Sequence, residues 1–115
     1  MKNWDMTKEK LNDTTLILRT GRMLDNNNAH EAVEIITGTR AEGCKFIVID
    51  MANLEFLSSA GVGSFLGNVD SFREIGGDII LCNVSGTIMH VLDVLDLTDF
   101  LTIQTSLSDA TAQCA

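Results

Sequence analysis

The alternation of apolar and polar residues predicts a buried strand followed by an amphipathic helix in the middle of the chain. Residues 46–49 form a continuous apolar run between Lys45 and Asp50, which is typical of a strand buried on both faces. Beyond Gly61, apolar residues recur every three or four positions, as in a helix with one buried stripe. The stripe consists of Val62, Phe65, Leu66, Val69, Phe72 and Ile75. We expect its centre, Val69 and Phe72, to lie against a sheet.

The flanking sequence predicts further strands and helices on both sides of this unit. Residues 4–10 and 14–20 flank a turn-prone Asn-Asp pair and predict a hairpin whose first strand lies at a sheet edge. A polar loop over residues 22–28 leads into a helix over residues 28–40, which Gly43 ends. After Gly76, the pattern predicts a strand over 78–83, a helix capped by Ser85, a strand over 100–103 and a partly frayed helix from residue 106.

The predicted element order is β-β-α-β-α-β-α-β-α, which defines an α/β fold class. Strand–helix–strand units of this length imply parallel pairing with right-handed crossovers. We therefore expect one domain over residues 1–115, with a mixed sheet of about four to five strands, mainly parallel in its centre. Helices should cover at least one face of that sheet.

Composition and charge narrow the classes of partner. The chain has 115 residues, of which 45% are apolar, and this is enough for one hydrophobic core. Its eight basic and sixteen acidic residues give a net charge of −8, which repels nucleic acids and anionic lipid surfaces and favours a basic protein partner. The sequence contains no apolar run long enough to span a membrane and no signal-like segment. We expect a cytoplasmic protein without membrane insertion.

No local motif has the spacing of a metal or catalytic site. The two histidines, His30 and His90, lack a second ligand at metal-binding distance, and Asp50 is interpreted as a strand-end turn residue. A Ser–His–Asp arrangement assembled in space stays open, because such groups can meet in a fold. The cysteines are interpreted as free thiols: Cys44, Cys82 and Cys114. The sequence therefore predicts a binding protein without metal or cofactor, and not an enzyme.

The glycines of residues 61–67 admit two interpretations. They are similar to a dinucleotide-binding glycine pattern, but the third glycine is one position late and the predicted strand ends well upstream. The simpler interpretation is that Gly63 and Gly67 share one helical face and let a neighbouring backbone approach closely. That backbone belongs either to the sheet or to a partner.

Two serines, Ser58 and Ser59, stand immediately before the central helix. The simpler interpretation is a helix N-cap, in which a serine hydroxyl satisfies backbone N–H groups of the first turn. The alternative is a phosphoacceptor, because the N-terminus of a helix carries partial positive charge that stabilises a phosphate.

The arrangement of several blocks around these serines resembles a bacterial anti-sigma factor antagonist, a stand-alone STAS domain. The blocks are GRMLD at residues 21–25, NLEFLSSAGVG at 53–63, EIGGD at 74–78 and VLDVLDL at 91–97. The resemblance implies that Ser59 is phosphorylated by a partner kinase that is also the anti-sigma factor, and that a phosphatase reverses the modification. It aligns Ser58 with the family's aspartate, Ala60 with its second hydroxyl residue and Asp25 with an acidic residue beside the acceptor. The segment at residues 21–25 is one residue longer than the family's usual one.

The resemblance implies a phosphorylation-controlled switch that regulates transcription indirectly. The unphosphorylated chain would bind the anti-sigma serine kinase and so release a sigma factor, while Asp25 adds negative charge beside the acceptor. We expect Gly61, Val62 and Gly63 to offer the kinase a helix start of low relief. Two alternatives stay open, a STAS adaptor subunit of a larger signalling or transport assembly and a nucleotide-binding module.

Overall fold

The computed structural model describes residues 6–114, which form an α/β fold. In chain order the elements are β1 (Thr7–Asn12), β2 (Thr15–Arg19), β3 (Met23–Leu24), α1 (Ala29–Ala41), β4 (Phe46–Asp50), β5 (Phe56–Leu57), α2 (Ser59–Leu66), α3 (Val69–Glu74), β6 (Asp78–Cys82), α4 (Gly86–Val94), β7 (Thr102–Gln104) and α5 (Leu107–Ala112).

Five strands form one mixed sheet in the order β1-β2-β4-β6-β7. Strand β1 pairs antiparallel with β2, whereas β2, β4, β6 and β7 are parallel neighbours. The predicted fold class is therefore confirmed, together with the N-terminal hairpin and its edge strand. The predicted start of the first strand, at residues 4–5, lies outside the described residues.

Helices cover both faces of this sheet. On one face, α1, α2, α3 and α4 pack against alternate strand residues such as Leu18, Ile49 and Leu81. On the other face, α5 packs over Ile17, Val48 and Ile80 through its buried Ala110. The segment predicted as a partly frayed helix is thus a capped element of the core, since the Ser106 hydroxyl accepts a hydrogen bond from Asp109 N at 3.1 Å.

A second, two-stranded sheet lies inside segments that the pattern assigned to loops. Strands β3 and β5 are parallel, with Met23 opposite Phe56 and Leu24 opposite Leu57. The prediction of a polar loop over residues 22–28 is wrong at Leu24, which is only 2% exposed. Strands of two residues cannot be recognised by periodicity, because the alternation of apolar and polar residues needs at least about four positions to show.

The predicted central helix is divided into α2 and α3 at Gly67 and Asn68. Both residue types favour helix ends over helix interiors, and Asn68 N donates to the carbonyl of Phe65, three residues back, at 3.0 Å. The buried stripe nevertheless continues across the break, since Phe65, Val69 and Phe72 are each 0% exposed. Its predicted last member is wrong, because Ile75 follows the end of α3 and is 36% exposed. The expected burial of Val69 and Phe72 is confirmed.

Other boundaries agree closely with the sequence. Helix α1 ends before Gly43 and α3 before Gly76, and both glycines have positive φ, at 100° and 85°. This backbone conformation is the one that favours glycine after a helix. Strand β7 begins two residues later than predicted. Over residues 6–114, no helix combines the length and apolar character needed to cross a membrane.

Candidate functional site

Ser58 is the N-cap of α2. Its backbone is extended, with φ −94° and ψ 171°, and its hydroxyl oxygen accepts a hydrogen bond from Gly61 N at 3.2 Å. Its carbonyl accepts another from Val62 N at 2.9 Å. Because both interactions satisfy N–H groups of the first turn, the capping interpretation is confirmed for Ser58.

Ser59 is the first residue of α2 and is exposed to solvent. Its hydroxyl makes no hydrogen bond with any residue of the described part of the chain, and the neighbouring Ala60 is also exposed. The two serines therefore differ in chemistry, since one hydroxyl is engaged in the cap and the other is available to a partner.

The loop that carries Asp25 is attached to the start of α2 through the backbone. Ser58 N donates to the carbonyl oxygen of Leu24 at 3.1 Å, so the residue after Leu24 lies beside the cap. The Asp25 side chain is 8% exposed, and its Oδ1 accepts a hydrogen bond from Asn27 N at 2.9 Å. The structure thus brings the loop of Asp25 next to Ser58, with the carboxylate held by its own loop.

A glycine is required at position 61, where α2 touches β3. A Cβ atom added to Gly61 would overlap the carbonyl group of Leu24. Around Gly63 there is open space, and an added Cβ on Gly67 would meet only the carbonyl of Gly63 at 3.6 Å. Of the two alternatives for the backbone near Gly63 and Gly67, the sheet is therefore wrong and a partner stays a prediction. The close approach of the sheet occurs at Gly61. Gly61 and Val62 are buried, whereas Gly63 is exposed.

Two exposed apolar side chains adjoin the serines and were not among the predicted site residues. Met23 is 40% and Phe56 57% exposed, while the next residues of the two strands, Leu24 and Leu57, are buried. This alternation follows from pairing in a strand, which turns successive side chains to opposite faces. The available signal in the sequence was the presence of large apolar residues in otherwise polar segments.

The structure also places the histidines, Asp50 and a cysteine, the other groups weighed as candidates for catalysis or metal binding. His30 and His90 are exposed on α1 and α4, and the described residues contain no cluster of His, Cys, Asp and Glu able to hold a metal ion. Asp50 ends β4, where its Oδ1 accepts from Ala52 N at 3.1 Å, as expected of a turn residue. Burial, with the Asp50 carboxylate nearby, raises the pKa of the free Cys82 thiol to about 11. Very little of this thiol is therefore ionised to the reactive thiolate at neutral pH.

Comparison with known proteins identifies the family to which this architecture belongs. Residues 6–110 match the STAS domain, so the chain belongs to the STAS domain family. The "Anti-sigma F factor antagonist" of Paenibacillus polymyxa is 28% identical over 83 residues, which span 71% of each chain. These matches confirm the resemblance inferred from the sequence blocks.

Solved structures of similar proteins share the fold. The unphosphorylated form of the anti-sigma factor antagonist SpoIIAA superposes with a TM-score of 0.82, at 23% identity over 94% of both chains. The phosphorylated form of SpoIIAA, described as a Bacillus cell fate determinant, gives a TM-score of 0.75 at 23% identity, over 96% of this chain and 99% of that one.

Replacing the cap tests the assigned geometry of Ser58. We expect Ser58→Ala to lower the free energy of unfolding by about 1 kcal/mol, because it removes the acceptor for Gly61 N. Ser58→Asp keeps an acceptor and adds a favourable charge at the helix N-terminus, so its stability should equal or exceed that of the wild type. Urea denaturation measures both. Equal stability of Ser58→Ala and the wild type would contradict the cap.

Proposed function

We propose that this protein is an anti-sigma factor antagonist controlled by phosphorylation of Ser59. In its unphosphorylated form it binds an anti-sigma factor that is also a serine kinase, and this binding releases a sigma factor. The kinase then phosphorylates Ser59, and a serine phosphatase restores the binding form. The protein acts in the bacterial cytoplasm as a regulatory binding protein.

The observation that carries this proposal is the difference between the two adjacent serines. The Ser58 hydroxyl accepts the hydrogen bond from Gly61 N, whereas Ser59 is exposed and its hydroxyl is not engaged by the described residues. A kinase needs an accessible hydroxyl that can donate its proton to a base, and Ser59 meets this condition. The names of relatives, which are anti-sigma factor antagonists, support the proposed class of function, and SpoIIAA, a protein of the same fold, has a phosphorylated form.

Electrostatics supply the switch without a change of fold. A phosphate on Ser59 adds a charge of about −1.5 to −2 at neutral pH. The partial positive charge of an exposed helix N-terminus stabilises such an anion by only about 0.3–1 kcal/mol. Burial of a charged group in an interface costs several kcal/mol unless a partner charge compensates it. A complex formed around an uncharged Ser59 is therefore weakened by the phosphate.

In this proposal, some of the residues around Ser59 position the start of α2 and others contact the kinase. Ser58 fixes the start of α2, Gly61 lets the helix lie close against β3, and Val62 is buried in the apolar core. The exposed residues Ser59, Ala60 and Gly63 are the ones available for contact with the kinase. Asp25 holds its loop beside this surface and contributes negative charge.

The test uses the purified anti-sigma kinases of the source organism, one at a time, with ATP. We expect one phosphate per chain on Ser59, located by tandem mass spectrometry, and none in Ser59→Ala. Ser59→Ala should still bind the kinase in calorimetry, since the substitution adds no charge. Ser59→Asp should bind at least several-fold more weakly, although one carboxylate carries less charge than a phosphate.

Ser58→Ala is the matched control, because it removes the adjacent hydroxyl and leaves Ser59 in place. It should still be labelled on Ser59. Labelling of Ser58 in the wild type would contradict the choice of acceptor. Binding that does not respond to phosphorylation at either serine would contradict the switch.

A further inference from the structure

The two-stranded sheet displays its largest side chains to solvent. Phe56, at 57% exposure, and Met23, at 40%, lie directly opposite each other in the register of β3 and β5. Leaving much of a phenylalanine ring and a methionine side chain in water forgoes part of the free energy that burial of apolar surface releases. We call these two side chains the apolar pair.

The apolar pair is fixed to the same structural unit as Ser59. Only Leu57 and Ser58 separate Phe56 from Ser59 along the chain, and the backbone of β3 is bonded to the cap through Ser58 N and the Leu24 carbonyl. That hydrogen bond holds the start of α2 against β3, and the absence of a side chain at Gly61 permits the close approach. A surface that covers Ser59 therefore meets the apolar pair in a defined position.

Charged groups border the apolar pair on one side. The residues that precede it, Arg22 and Glu55, form an ion pair with a distance of 3.0 Å between Arg22 Nη2 and Glu55 Oε1. Apolar side chains surrounded by a polar rim are the usual anatomy of a protein-binding surface, in which aromatic residues and methionine are enriched at the centre. Two side chains cover far less than the roughly 800 Å² per partner of a stable interface, so they serve as anchors within a larger contact.

We infer that Phe56 and Met23 are the apolar anchors by which the anti-sigma kinase holds this protein while Ser59 is presented to it. The inference rests on the proposed function. It adds one feature of the partner: the kinase has an apolar pocket beside its phosphoryl-transfer site, and this pocket receives the two side chains. It also explains the sensitivity to phosphate, because a charge on Ser59 would have to be desolvated next to a contact from which water is excluded.

The experiment measures binding of the unphosphorylated full chain to the purified kinase by surface plasmon resonance. We expect Phe56→Ala to raise Kd at least tenfold, mainly through faster dissociation, since truncation of an anchor acts on the dissociation rate. Met23→Ala should have a smaller effect in the same direction, and Phe56→Leu should retain most of the affinity. Leu11→Ala is the matched control, because Leu11 is 44% exposed on the edge strand β1, which pairs with β2, and its Kd should equal that of the wild type.

The outcomes separate the inference from the proposed function. If the wild type binds and is phosphorylated on Ser59 but Phe56→Ala and Met23→Ala bind equally well, the anchors are overturned and the proposed function stands. If the wild type neither binds nor is phosphorylated by any of the kinases, both are overturned. Sedimentation equilibrium tests whether a second copy of this chain, and not the kinase, covers the apolar pair. If the wild type self-associates, Phe56→Ala does not, and both bind the kinase equally, the inference is also overturned.

Discussion

Replacement of Phe72 by alanine is expected to lower the free energy of unfolding by about 3–5 kcal/mol. The ring is 0% exposed and belongs to the apolar cluster between the sheet and helices α1 to α4. Its removal forfeits the transfer free energy of the ring and leaves a cavity, because a close-packed interior relaxes only partly. Urea denaturation monitored by circular dichroism measures the loss.

Phe56→Ala is the matched control for this experiment. It removes the same side chain from a position that is 57% exposed, so we expect a change in the free energy of unfolding within about 0.5 kcal/mol. The comparison also shows that Phe56→Ala is folded when its binding is measured. A loss below about 1 kcal/mol in Phe72→Ala would contradict the assigned packing of α3.

Two glycines of α2 are expected to respond to alanine with opposite signs. Gly61→Ala should lower the free energy of unfolding by about 1–3 kcal/mol, because its Cβ overlaps the Leu24 carbonyl and forces α2 away from β3. Because the overlap is with backbone atoms, which cannot rotate aside, we expect a cost in the upper part of this range, which exceeds the gain of about 1 kcal/mol that alanine brings to a helix. Gly63→Ala meets open space, so only the gain applies and stability should rise by up to about 1 kcal/mol.

The pair is decisive because both substitutions add the same methyl group two residues apart in one helix. Chemical denaturation of both variants and the wild type under identical conditions shows whether each substitution raises or lowers the free energy of unfolding. If both substitutions stabilise the protein, α2 can shift against β3 at little cost and the contact between Gly61 and Leu24 is not fixed. Gly61→Ala should also weaken kinase binding, since the displaced helix carries Ser59.

The long elements were predictable because burial imposes a period on the sequence. The apolar runs of β2, β4 and β6 and the stripe through Phe65, Val69 and Phe72 depend on which residues face the core, and a single sequence records that choice. The break between α2 and α3 escaped prediction because the stripe runs through it unbroken. The small sheet escaped it because two-residue strands have no periodicity of their own.

The candidate site was predictable to a different extent. A serine before a helix indicated the cap, and the arrangement of blocks indicated the family and Ser59. Which serine is engaged in the cap depends on the backbone dihedral angles at the junction of β5 and α2, where Ser58 is extended and Ser59 is already helical. The exposure of Met23 and Phe56 depends on pairing between segments more than thirty residues apart.

By itself the sequence determined the order along the chain of the main strands and helices, the acidic net charge and the pair of serines at a helix start, because these follow from local spacing and composition. Tertiary structure decided which glycine lies against a backbone, which hydroxyl is available and which apolar residues are left in water. Those properties arise where α2, β3 and β5 meet. They depend on distances between parts of the chain that are remote in sequence, and no local pattern encodes such distances.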